Sequence, residues 1–170
     1  MLKLLNDARL RYLVICIVAV AIFFIWRWSQ IDQDMHAIER NLQQLLSEFQ
    51  KEPGETQLEG LASGRRAGRL LAAGAVLEYQ PGRRIRYDAE SFPVAFNTAR
   101  SLFSRIEVSV GPHRIEIHEN RHQAHSSARI RIRLETTSGQ METHQENFQF
   151  EWIKQDGQWL LNSAASHSTH

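Results

Sequence analysis

One hundred and seventy residues, 42% hydrophobic and 23% charged with 9 Gly and 4 Pro, describe one folded unit with a terminal appendage. They exclude a multidomain enzyme, a disordered chain and a fibrous one. The single cysteine, Cys16, excludes an intramolecular disulfide and a thiolate metal cluster, and the net charge of +1 is unevenly shared: Lys3, Arg9, Arg11 and Arg27 against Asp7 give residues 1–28 a net of +3, while 16 basic and 18 acidic residues give 29–170 a net of −2. A soluble part of that charge is not expected to bind nucleic acid.

From Tyr12 to Trp26 every residue is apolar or aromatic. Arg11, Arg27 and Trp28 can extend this run at the interfaces, so 12–28 reads as a short transmembrane anchor. Ala19-Val20-Ala21 fits a signal-peptidase pattern, but cleavage there would leave Ile22, Phe23, Phe24, Ile25 and Trp26 at a greasy new N-terminus. Three basic residues precede the span, and the twenty residues after Trp28 hold Arg40 alone among basic residues. This asymmetry puts the N-terminus in the cytoplasm and residues 29–170 outside the cytoplasmic membrane, in the periplasm of a Gram-negative cell.

Ile31, Met35, Ile38, Leu42, Leu45 and Phe49 recur at three- and four-residue steps and predict an amphipathic helix that Pro53-Gly54 ends. Leu58, Leu61, Ala62, Leu70 and Leu71 suggest a second helix, from about 55 to 73, weakened by its glycines. A short strand at 75–79 runs to the Pro81-Gly82 turn. Phe92, Phe96, Ala99, Leu102 and Phe103 then form the face of a third helix, with Pro93 tolerable in its first turn.

After Ser104 the period falls to two. Ile106, Val108 and Val110 alternate with polar neighbours, as do Ile115 and Ile117, Ile130, Ile132 and Leu134, and Phe148, Phe150 and Trp152. Turn chemistry separates these runs at Gly111-Pro112, in the polar stretch 119–127, at Ser138-Gly139 and at Asp156-Gly157. Consecutive strands joined in this way pair antiparallel and present one apolar face to the helices, an α+β roll. The expected organisation is a cytoplasmic tail (1–11), the anchor (12–28), a membrane-proximal helix (29–52), the rest of the roll (53–165) and a disordered tail (166–170).

The order helix, helix, short strand, helix, long meander resembles the nuclear transport factor 2-like superfamily. The ending Phe150-Glu151-Trp152-Ile153-Lys154-Gln155-Asp156-Gly157-Gln158-Trp159-Leu160-Leu161 looks like the last hairpin of that group. The likeness covers roughly residues 35–165 and implies a curved sheet wrapping three helices into a cone. As a whole the chain resembles small anchored proteins of proteobacterial envelopes. The superfamily holds dehydratases, isomerases, cyclases and binding members, so the fold does not choose among them.

Several groups are candidate sites. His144 and Glu146 share the strand parity of Trp152, and a His–carboxylate pair in an apolar cone could move a proton; the plainer reading is a pair at the solvent end of a hairpin. Tyr79 and Tyr87 flank the turn after the short strand and would line the same pocket as His144, Glu146 and Trp152. His118, His122 and His125, beside Glu116 and Glu119, have ligand chemistry for zinc or copper, but most of them fall in a polar loop, so neither a metal nor any other cofactor is expected. Arg65, Arg66, Arg69, Arg83, Arg84 and Arg86 form a patch of local net +5 with Glu78, suited to acidic headgroups, glycans or a partner's acidic face; the plainer reading is a solvated surface. Arg129, Arg131 and Arg133 lie on the outer sheet face, where they can meet Glu107 or Glu116 across the ladder. In the resembled superfamily this face often forms a dimer interface.

The reading that results is a non-enzymatic, membrane-anchored extracytoplasmic protein that binds a small apolar ligand or an envelope protein and forms homodimers through its sheet. The alternatives are a scaffold subunit of an envelope or secretion complex, and a lyase or isomerase using His144 and Glu146.

Overall fold

The computed structural model describes residues 30–80, 83–88 and 90–167. The expected anchor at 12–28 lies outside them, and among the described residues no helix is long and apolar enough to cross a membrane. The chain divides into two compact units, Met1–His36 and Ala37–His170. In the first, residues 30–36 are helical. The second is an α+β roll.

Helix α1 covers residues 30–49 of the description, α2 is Gln57–Gly68 and α3 is Ser91–Ser101. The strands are β1 (Leu71–Gln80), β2 (Arg83–Arg86), β3 (Phe103–Ile117), β4 (Gln123–Thr136), β5 (Met141–Gln155) and β6 (Gln158–His167). They form one six-stranded sheet in the order β2-β1-β6-β5-β4-β3, antiparallel throughout except where β1 runs parallel to β6. The C-terminal strand therefore lies at the centre of the sheet. Residues 166 and 167, expected in a disordered tail, pair with Phe148 and Asn147.

The helical face expected in α1 supplies Ile38, Leu42 and Leu45, joined by Leu46, to the buried core. Helix α2 is shorter than its pattern suggested. It starts at a capping box, in which the Thr56 hydroxyl accepts from the Glu59 amide and the Glu59 carboxylate accepts from the Thr56 amide. Gly60 and Gly64, read above as weakening the helix, are buried where α2 meets α3: a Cβ on Gly64 would lie 2.9 Å from Pro93 Cα. Small residues let the two helices approach. The start of α3 is held by Asp88, whose Oδ1 accepts from the amides of Ser91 at 2.7 Å and Glu90 at 3.0 Å. Its end is held by Lys51, whose Nζ donates to the carbonyls of Arg100 and Phe103.

The turn expected at Gly111-Pro112 is instead a bulge inside one 15-residue strand, with a register shift between Val110 and His113. β3 is an edge strand, where a residue without an N–H breaks no interior ladder. The polar loop expected at 119–127 is mostly strand as well. Ala124, Ser126 and Ala128 are buried on the inner face of β4, opposite Trp152, Phe150 and Phe148 of β5. Small residues facing large ones let the two rows interdigitate. At the expected Asp156-Gly157 turn both residues have positive φ, 50° and 79°, as a tight hairpin turn with right-handed strand twist requires.

Candidate functional site

Helices α1 and α3 and the inner face of the sheet do not fill the roll. Between them lies a cavity of about 390 Å³. Leu46 and Phe49 come from α1, Phe96 from α3, and Ile132, Phe148 and Leu161 from the central strands. Their placement follows from the helical and two-residue periods, which turn each apolar stripe to one side. Among the lining residues the polar groups are few: Glu78, Tyr87 and Arg100.

Tyr87 is half-buried and sets its ring edge-on to Phe92, at 5.4 Å between centroids. Glu78 accepts from Arg84 Nε at 2.6 Å, which holds the Arg84 guanidinium above its usual pKa through that hydrogen bond and the Glu78 charge. Arg100 differs from both, because it is 3% exposed. Its Nη2 donates to the Gln50 carbonyl and to Glu55 Oε2, the latter at 2.6 Å, and its guanidinium lies over the Phe96 ring, 5.2 Å from the centroid. Its Nε and Nη1 are buried and make no hydrogen bond in the described structure.

The expected site residues are distributed as follows. His144 and Glu146 line a smaller hollow of about 170 Å³, together with Ile130, Ile132, Leu134 and Phe148. His144 is exposed, and its Nε2 lies 3.2 Å from Glu142 Oε2. Tyr87 lines the large cavity, and the side chain of Tyr79 lies outside the described residues. Trp152 is 1% exposed and sits in the core beside the cavity, its Nε1–H donating to Ser126 Oγ at 2.8 Å. Trp159 is also buried in the core, so both tryptophans fill the roll and neither lines the cavity.

In the arginine patch, Arg65 and Arg66 occupy the last turn of α2, where cations complement the helix dipole, and Arg69 caps it. Arg66 makes a two-pronged pair with Glu48 at 2.7 and 2.8 Å, and those bonds raise its pKa. Arg83, Arg84 and Arg86 are exposed on the edge strand β2. The rings of His118 and His125 meet at 4.7 Å, while the Glu116 carboxylate pairs with Arg114 at 2.8 Å. Among the described residues no three His, Cys, Asp or Glu side chains are grouped to hold a metal ion. On the outer face, Arg133 lies 3.7 Å from Glu107, and Arg131 and Arg129 donate to Gln145 and Asn147.

Arg100 is the residue that sequence reasoning passed over. It is one of 17 arginines and the one charged residue of α3, and the one available signal was its position one residue after Ala99 and four after Phe96, on the edge of the apolar face of α3.

No protein-family model and no curated protein matches this chain. Solved structures do. The Kfla4162 protein from Kribbella flavida superposes with a TM-score of 0.67 at 12% identity, over 82% of this chain and 93% of that one. A putative scytalone dehydratase from Novosphingobium aromaticivorans gives 0.65 at 13%, over 80% and 84%. A hexachlorocyclohexane dehydrochlorinase gives 0.60 at 13%, over 82% and 90%. At these identities the likeness is one of fold, and the fold is the nuclear transport factor 2-like roll.

Proposed function

We propose that this chain is a non-enzymatic binding protein of the bacterial envelope, held by a single-pass anchor at 12–28 with its N-terminus cytoplasmic and its roll in the periplasm, and that the roll takes a small apolar ligand. The observation that carries the ligand reading is the cavity of about 390 Å³ with its nearly all-apolar lining. Protein interiors are close-packed, with few voids larger than a water molecule. A concave apolar space of roughly 300–1,000 Å³ with a few convergent polar groups is the usual form of a small-molecule site. The anchor rests on the apolar run from Tyr12 to Trp26 and its basic N-terminal flank.

A putative scytalone dehydratase and a dehydrochlorinase share the roll, which keeps a lyase or isomerase as the alternative. His144 and Glu146, the residues it would use, line the smaller hollow and not the large cavity. Homodimers through the outer sheet face and contact of the arginine patch with acidic surfaces belong to the same proposal.

Native mass spectrometry of the full chain purified from membranes tests the ligand reading. A reproducible bound mass of a few hundred daltons is expected. A bare monomer or dimer overturns the ligand reading and supports an assembly or scaffold role. Reporter fusions after His170 test the anchor: activity confined to a periplasm-dependent reporter is expected, and activity confined to a cytoplasm-dependent one refutes the orientation.

A further inference from the structure

The cavity is apolar except at a few points, and at one of them it carries a buried charge whose hydrogen-bonding capacity is partly unused. Arg100 is 3% exposed, yet its Nε and Nη1 have no acceptor in the described structure. Arg105 and Arg121 each bury only an Nε in this way, whereas Arg100 leaves two donors unmatched and lines the cavity. The Trp152 indole finds Ser126, and the Asn41 amide finds the Trp159 carbonyl at 2.7 Å. A buried donor on a charged group without an acceptor is costly, and a protein rarely keeps one without a use. Nη2 is already committed to Gln50 and Glu55, so the guanidinium is fixed in place while part of it remains able to donate.

We propose that Arg100 seats the head group of an acidic amphiphile, a carboxylic acid whose apolar body fills the cavity; this rests on the ligand-binding reading above. Charge and size select the class. Arg100 meets Glu55 through Nη2 alone, and its Nε and Nη1 are buried without an acceptor in the described structure. The other charged residue of the lining, Glu78, is paired with Arg84. The donors that Glu55 leaves unused belong to a guanidinium, the side chain best matched to a carboxylate. At ~30 Å³ for each small group, a cavity of about 390 Å³ holds about thirteen heavy atoms, enough for a carboxylate and a chain of about ten carbons. Phe96, under the guanidinium, and Phe49, edge-on to Phe96 at 4.7 Å, set the transition from charged to apolar surface.

The test is equilibrium binding of radiolabelled decanoic acid and of radiolabelled decan-1-ol to the full-length chain in maltoside micelles at pH 8, with empty micelles subtracted. The two ligands share a chain and differ in the charge. The acid is expected to bind at least about tenfold more tightly than the alcohol, the scale of one hydrogen bond to a charged group. Arg100→Met is expected to abolish that preference and leave alcohol binding within about twofold. Glu55→Gln, which removes the competing carboxylate but keeps an acceptor for Nη2, is expected to tighten acid binding severalfold; it keeps the idea testable if Arg100→Met does not fold. Equal binding of acid and alcohol by the wild type overturns the acid seat and leaves the apolar-ligand reading standing. Binding of neither ligand overturns both.

Discussion

Two glycines in α2 differ by what stands in front of them, and the difference decides the sign of a substitution. An alanine Cβ at Gly64 would lie 2.9 Å from Pro93 Cα, 3.0 Å from Pro93 O and 3.3 Å from Phe96 Cδ1. Carbon atoms pack at about 3.5–4.0 Å, so α2 and α3 must separate by roughly 0.6 Å or more. The first two obstacles are backbone, which cannot turn aside as a rotamer can. Gly→Ala inside a helix gains at most about 1 kcal/mol of propensity, against about 1–3 kcal/mol for overpacking a buried contact. Gly64→Ala is therefore expected to destabilise by about 1 kcal/mol net. At Gly68 the same Cβ would meet only Phe92 Cδ1, at 3.5 Å, an ordinary contact. Gly68→Ala keeps the propensity gain and is expected to stabilise by about 0.5–1 kcal/mol. Urea unfolding followed by tryptophan fluorescence reads both, since Trp152 and Trp159 are buried. If Gly64→Ala stabilises as much as Gly68→Ala, α2 and α3 do not approach as closely as the Gly64–Pro93 contact requires.

Thr56→Ala removes one half of the capping box of α2 and is expected to lower stability by about 1 kcal/mol, read from the urea midpoint. Trp152→Ala empties a fully buried site and strips Ser126 Oγ of its donor, so a loss of about 3–5 kcal/mol is expected, measured by thermal denaturation. Asp88 and Glu59 are both held below their ordinary pKa, Asp88 chiefly by the Ser91 amide and Glu59 chiefly by the Thr56 amide. For carboxylates lowered in the folded state, the stability they add is present above the unfolded values of about 3.9 and 4.3 and is lost as pH falls through the lower folded values. The urea midpoint should therefore drop on acidification below about pH 4, and the Asp88→Asn variant should show a shallower drop.

The elements that were legible in the sequence share one property: their buried positions are large and apolar. Ile38, Leu42 and Leu45 mark α1, and Phe148, Phe150 and Trp152 mark β5, because each stripe repeats with the period of its element. The start of β4 escaped because its inward residues are Ala124, Ser126 and Ala128, whose partners across the ladder, Trp152, Phe150 and Phe148, supply the bulk for both rows. Pairing divides volume between strands, and a one-strand pattern sees half of it. β2 escaped for a related reason. It is a four-residue exposed edge, Arg83–Arg86, with no inward row to detect. Gly111-Pro112 read as a turn because proline denies a ladder hydrogen bond, yet on the edge strand β3 that bond is not required.

Site legibility failed in a different way. Composition drew attention to residues with familiar chemistry, such as His144 and Glu146, and to density of charge, as in Arg65, Arg66 and Arg69. Burial does not follow either signal. His144 is exposed beside Glu142, whereas Arg100, chemically the same as sixteen other arginines, is placed inside by a helix whose apolar face it borders. Its partners, Gln50 and Glu55, lie fifty and forty-five residues earlier, in the segment between α1 and α2. That segment is itself fixed at a distance, since Lys51 exchanges backbone hydrogen bonds with Ile106 at 2.9 and 3.0 Å. The charge in the cavity wall is thus assembled by three parts of the chain that carry no motif. One chain location holds the guanidinium, another supplies the acceptors for its Nη2, and the edge of the sheet sets the second in place. If the fold has a specificity determinant, it is of this tertiary kind, and the acid-to-alcohol ratio in wild type and Glu55→Gln measures it directly.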